Sequence, residues 1–133
     1  ELLERAEAKG PLSEQAYLDA RRKNLDLSRT HGIDAAMGTE KLDALVAITN
    51  GPAHLTNLVN GDSRTGGSSS PAAVAGYPSI TVPAGAVQGL PVGISFFGRA
   101  FSEPSLIRLA YAFERLTLAR VPPTYEPTLE FPA

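Results

Sequence analysis

The chain has 133 residues, a formal net charge of −2, 43% apolar residues and no cysteine. That length fits one modest domain, and the near-balanced charge gives no electrostatic case for nucleic acid or an anionic membrane as a partner. No apolar run reaches bilayer-spanning length, and the lack of cysteine excludes disulfides and thiolate metal sites and fits a cytoplasmic setting.

The opening stretch, Glu1 to Gly10, is polar and acidic and has no secretory apolar core. It begins without Met, as a processed, truncated or excised chain would. Glu1 to Lys9 reads as the end of a helix with Leu2, Leu3 and Ala6 on one side, stopped by Gly10-Pro11. Ser13 can cap a second helix that runs through Tyr17, Ala20, Arg21 and Asn24 to about Arg29, with Gly32 as its breaker. Ile33, Ala36 and Met37 fall at i, i+3 and i+4 and predict one more short amphipathic turn. Residues 1–41 thus form a helical lead-in to a strand-and-helix core at 42–120.

Leu42 to Ile48 is a short apolar run bounded by an Asn/Gly/Pro cluster, which predicts a strand. Ala53 to Gly67 reads as an irregular loop with one helical turn near His54 to Val59. Ser70 can cap a short helix starting at Pro71, with Gly76 as a left-handed stop. Ser79 to Val82 predicts a second strand closed by Pro83. Gly85 to Gly89 predicts a turn, and Val92 to Phe97 a third strand. Neither of these two strands alternates cleanly, so both faces are expected to be buried. Ser102 can cap a last helix carrying Leu106, Leu109, Ala110, Phe113 and Leu116 as its apolar stripe. The end, residues 121–133, holds four of the eleven prolines and predicts an extended tail. Strands alternating with helices give an α/β class. Three two-face-buried strands with so few helices imply that part of the sheet lies outside this chain.

Few residues offer chemistry. Gly66-Gly67-Ser68-Ser69-Ser70 could expose a serine beside free N–H groups, but Ser70 occupies the last glycine position of G-x-S-x-G, so a loop ending in a helix cap is the simpler reading. A Ser68/His54/Asp62 trio can be drawn, yet nothing orients His54. His31 reads as a helix C-terminal residue. The two histidines lack metal-ligand spacing. Lys9 and Lys23 read as solvated on helical faces, and Lys41 precedes a strand. Asn50-Gly51-Pro52 reads equally as a pocket wall at a strand end and as a plain strand-ending turn.

The ordered string SSSPAAVAGYPSITVPAG (68–85), then GLPVGISFFGRAFSEPSLIRLAYAFE (89–114), with LDALVAITNGPAHLTNLVNGD (42–62) upstream, resembles the C-terminal segment of amidase signature family hydrolases. One departure is Ile48, where the family carries proline before Thr-x-Gly-Pro-Ala. The resemblance implies an α/β/α sandwich around a mixed sheet, with about three strands and three to four helices in this chain. It implies hydrolysis of linear carbon–nitrogen amide bonds without metal or cofactor. A lysine and two serines carry that chemistry in the family, and all three lie upstream of this segment, so none is placed here. Thr49, Asn50, Gly51, Ser68 and Ser69 are the substrate-pocket candidates. The expected partners are a small-molecule amide, the N-terminal part of the same enzyme, and a second copy of the chain through its exposed sheet edges. A non-catalytic self-associating module is the alternative. A self-contained hydrolase using Ser68 or Ser69 is the remotest reading.

Overall fold

A computed structural model describes residues 1–61 and 66–125. Most of the predicted tail, residues 126–133, and Asp62 of the hypothetical trio lie outside the described residues. In chain order the elements are helices α1 (Leu2–Glu7) and α2 (Gln15–Leu25), a π-helical segment (Asp26–Ile33), α3 (Asp34–Thr39), strand β1 (Leu45–Ile48), α4 (Ser69–Ala75), strands β2 (Ser79–Val87) and β3 (Leu90–Phe97), and α5 (Glu103–Thr117). The strands form one antiparallel sheet in the order β1-β3-β2.

Two apolar clusters lie on opposite sides of β3. Phe97 packs with Ile33, Met37, Ala72 and Ala75 under the π-helical segment, α3 and α4. Phe96 packs with Val82, Leu106 and Ala110 under α5, and its ring meets Phe113 edge-on at 5.9 Å between centroids. Adjacent residues of one strand point to opposite faces, so the Phe96-Phe97 pair anchors both helical layers to the central strand. The result is an α/β arrangement with helices on both sides of the sheet.

Several boundaries depart from the sequence reading. Helix α2 starts at Gln15 behind Glu14 rather than behind Ser13, because the Glu14 N–H is held by the Pro11 carbonyl in a turn. Gly32 breaks the helix as the sequence predicts: its φ −112° and ψ −107° are non-helical, and the chain turns there by a kink within the π-helical segment. A β-carbon there would lie 2.7 Å from the Leu27 carbonyl oxygen, so only glycine fits. Ile33 and Met37 are buried as expected, whereas Ala36 is exposed. β1 starts at Leu45, not Leu42, because the Leu42 N–H bonds the Met37 carbonyl to close α3. β2 passes through Pro83 to Val87 by way of a bulge between Pro83 and Gly85. Proline is tolerated there because β2 is a border strand. The turn is therefore only Gln88-Gly89, both at positive φ as a two-residue hairpin requires.

Helix α5 confirms half of its predicted stripe. Leu106 and Ala110 are buried and Phe113 is partly buried, but Leu109 is at the exposed limit and Leu116 is 86% exposed. The apolar face of this helix is wider than the sheet it covers here.

A polar clamp joins the layers. The Arg29 guanidinium donates to the Ala75 carbonyl at 2.7 Å and stacks over the Tyr77 ring. The Tyr77 hydroxyl donates to Asp34 at 2.8 Å, and Arg99 donates to the Asp34 carbonyl at 3.0 Å. Burial pushes the Tyr77 phenol above its ordinary pKa, and the hydrogen bond to Asp34 adds to the effect.

Candidate functional site

The chain folds Thr49, Asn50 and Gly51 against the Gly66–Ser69 stretch. β1 ends at Ile48, and Thr49 still donates its N–H to the Gly93 carbonyl at 2.9 Å. Its own carbonyl accepts from the Ser68 N–H at 3.2 Å, and Asn50 forms an antiparallel bridge with Gly67. The long loop between them is thus pinned at both ends. Asn50 Oδ1 accepts the Gly51 N–H at 3.0 Å, the local side-chain bonding that makes Asn a turn residue. All five sequence candidates therefore converge on one corner, where β1 ends and α4 begins.

Ser68, not Ser70, is the N-cap of α4. Pro71 consequently sits at the third helical position instead of the first. A capping side chain normally accepts from the second or third N–H of the helix, and proline offers none. Ser68 makes no side-chain capping bond. Its residue is only 7% exposed, and among the described residues its buried hydroxyl oxygen has no hydrogen-bond partner. A nucleophilic serine needs a base within hydrogen-bond reach. Among the described residues none is bonded to Ser68. Gly76 ends α4 in the left-handed conformation, at φ 65°, as the sequence predicts.

The sequence reading missed Thr81, Gly93 and Ser95. Ser95 is 3% exposed, and its hydroxyl lies 2.7 Å from that of Thr49 and 2.9 Å from that of Thr81. The Thr49 and Thr81 hydroxyls are 3.4 Å apart, which closes a triangle across all three strands. Three hydroxyls can each donate once and accept once around such a ring, so the buried Ser95 is satisfied. Gly93 makes room for it, since a β-carbon there would lie 2.9 Å from both Thr49 Oγ1 and Thr81 Cγ2. The available signal was the hydroxyl residue in the otherwise apolar β3, opposite Thr81 in β2. This ring forms a polar floor on the sheet beside the Thr49–Ser68 corner.

No protein-family model matches the sequence. It is 41% identical over 107 residues to a probable amidase of Arabidopsis thaliana, a match covering 80% of this chain and 18% of that protein. It is 53% identical over 47 residues to a glutamyl-tRNA(Gln) amidotransferase subunit of Latilactobacillus sakei, covering 35% of this chain and 10% of that one. The native peptide amidase of Stenotrophomonas maltophilia superimposes with a TM-score of 0.84 at 49% identity, over 95% of this chain and 25% of its own. The chain matches the C-terminal segment of amidase signature enzymes. It spans a quarter or less of each of these relatives. Among the described residues, no helix is long and apolar enough to cross a membrane.

Proposed function

We propose that this chain is the C-terminal portion of an amidase that hydrolyses linear carbon–nitrogen amide bonds, with its catalytic residues outside the chain. The observation that carries this reading is the 49% identity to peptide amidase sustained over 95% of the chain. A peptide amide is the substrate class that likeness favours. The reaction follows the family pattern of acyl transfer. A lysine acts through a bridging serine on a nucleophilic serine, backbone N–H groups hold the oxyanion, and water releases the acid. In this reading residues 42–120 supply core strands and the closing helix. Thr49, Asn50, Gly51, Ser68 and Ser69 form part of the acyl-pocket wall, with no residue here acting as nucleophile or base. No cofactor is called for, and the setting is cytoplasmic.

A second reading is favoured by the exposed apolar side chains Val46, Ile48, Ile107, Tyr111 and Leu116. Without the rest of the enzyme, these surfaces drive the chain to self-associate. The test is the intact mass of the source protein beside an assay of the 133 residues on aliphatic, aromatic and peptide amides. A longer active parent and a silent chain are expected. Turnover by the purified chain, abolished by Ser68→Ala or Ser69→Ala, overturns the proposal.

A further inference from the structure

The hydroxyl ring beside the Thr49–Ser68 corner has a polarity that its distances fix. Thr49 donates to Thr81 across 3.4 Å, Thr81 lies 2.9 Å from Ser95, and Ser95 lies 2.7 Å from Thr49. A proton cycle running Thr49 to Thr81 to Ser95 and back to Thr49 uses all three O–H groups. A hydroxyl donates once and accepts twice. Each oxygen therefore keeps one lone pair, and no proton, for anything outside the ring. The spare lone pair of Ser95 is shut in, because that residue is 3% exposed. Thr81 is exposed and Thr49 half-buried, so theirs can be reached. Ser95 stands two residues from Phe97 and so on the sheet face that carries α4, the helix that Ser68 begins. What the floor presents to a ligand is a pair of acceptors 3.4 Å apart, which suits a single N–H shared between them.

We propose that Thr49 and Thr81 read the carboxamide nitrogen of the substrate, with Ser95 as the positioning residue that keeps their protons inside the ring. The inference rests on the amidase reading above and names what its pocket distinguishes. A primary amide brings N–H donors, which the two oxygens accept. The carboxylate left by hydrolysis brings lone pairs and a negative charge, and it meets two acceptors with no proton to offer. An ester brings no N–H at its leaving oxygen. The floor therefore favours the amide over the ester and over the acid product, and it helps that product to leave.

The test uses the full-length source protein, assayed on a peptide amide and the matching methyl ester, with the free acid as inhibitor. Thr81→Val keeps the shape of the side chain, removes one acceptor and frees the Thr49 proton to face the ligand. It is expected to lower kcat/KM for the amide at least about fivefold, chiefly through KM, and to leave the ester unchanged. It is also expected to tighten inhibition by the acid at least about threefold. Thr81→Ser keeps the ring and is expected to match the wild type on all three ligands. Thr49→Val removes the other reachable oxygen and is expected to bring the same loss on the amide alone, which decides the question where Thr81→Val does not fold. Equal losses on amide and ester, or acid inhibition that is unchanged or weaker in Thr81→Val, overturn the inference and leave an active amidase in place. Where the wild type hydrolyses no amide, calorimetric binding of amide and acid takes over. A preference for the amide that Thr81→Val reverses then keeps the inference and removes the amidase reading, and no preference overturns both.

Discussion

Gly93→Ala tests whether the hydroxyl floor is as tightly built as its distances imply. The new β-carbon would lie 2.9 Å from Thr49 Oγ1 and 2.9 Å from Thr81 Cγ2, on two different strands, so neither contact is relieved by moving the other. Overpacking of this kind costs about 1–3 kcal/mol. Replacing glycine by alanine restricts the unfolded chain and returns about 0.4–1 kcal/mol, since Gly93 is not among the glycines at positive φ. At the middle of both ranges the net loss is about 1.3 kcal/mol. For a chain of this length that is a fall in melting temperature of roughly 3–8 °C. Urea denaturation followed by circular dichroism and by tyrosine fluorescence checks it, provided the two transitions coincide. The diagnostic arm is Thr81→Ser, which deletes the clashing methyl and keeps the hydroxyl bonded to Ser95. Gly93→Ala in that background is expected to cost at least about 0.5 kcal/mol less than in the wild type. A neutral or stabilising Gly93→Ala, or a coupling of zero, refutes the claim that the floor depends on glycine at this position.

Leu106 is fully buried between α5 and the sheet, so Leu106→Ala is expected to cost about 2–5 kcal/mol by chemical denaturation. Gly32→Ala forces a β-carbon against the Leu27 carbonyl and is expected to destabilise the chain in the same assay. Its cost should exceed that of Ala35→Gly or Ala36→Gly in α3, each about 1 kcal/mol. Ser68→Ala removes a buried hydroxyl that has no partner among the described residues and is expected to be neutral or stabilising, by up to about 1 kcal/mol. A loss in that variant would show that the hydroxyl is bonded in solution. Tyr77 has a raised folded-state pKa, so its neutral form is the stabilised one. Its contribution is fully present below the unfolded phenol value near 10 and is lost as pH rises through the folded value. Tyr77→Phe is expected to flatten the fall in stability above about pH 10 relative to the wild type.

The elements were legible in the sequence where local chemistry decides them. Leu106, Ala110 and Phe113 mark α5 by spacing, and Gly76 ends α4 because its backbone needs positive φ. The errors fall where a distant bond decides the outcome. Leu42 reads as strand but is held by Met37, and Pro83 reads as a strand end but lies beside a bulge. The site divides in the same way. Thr49, Asn50 and Gly51 were found from turn chemistry, and Ser68 from its serine-rich loop. Ser95 and Thr81 escaped because a hydroxyl in a strand acquires meaning only once register sets it opposite another. The ring needs three strands in place, and no single stretch of sequence contains them.

The two borders of the sheet differ in how they meet water. A four-residue strand of high β-propensity, with one face half exposed, is a poor border for a sheet in water. Its companion border β2 has the same freedom to be protected and is protected, by Pro83 and a bulge. The β1 border has no such device, and its Val46 and Ile48 are 54% and 69% exposed. The apolar face of α5 is likewise wider than the sheet beneath it: Leu106 and Ala110 are buried on that sheet, while Leu116 at the far end of the same stripe is left 86% exposed.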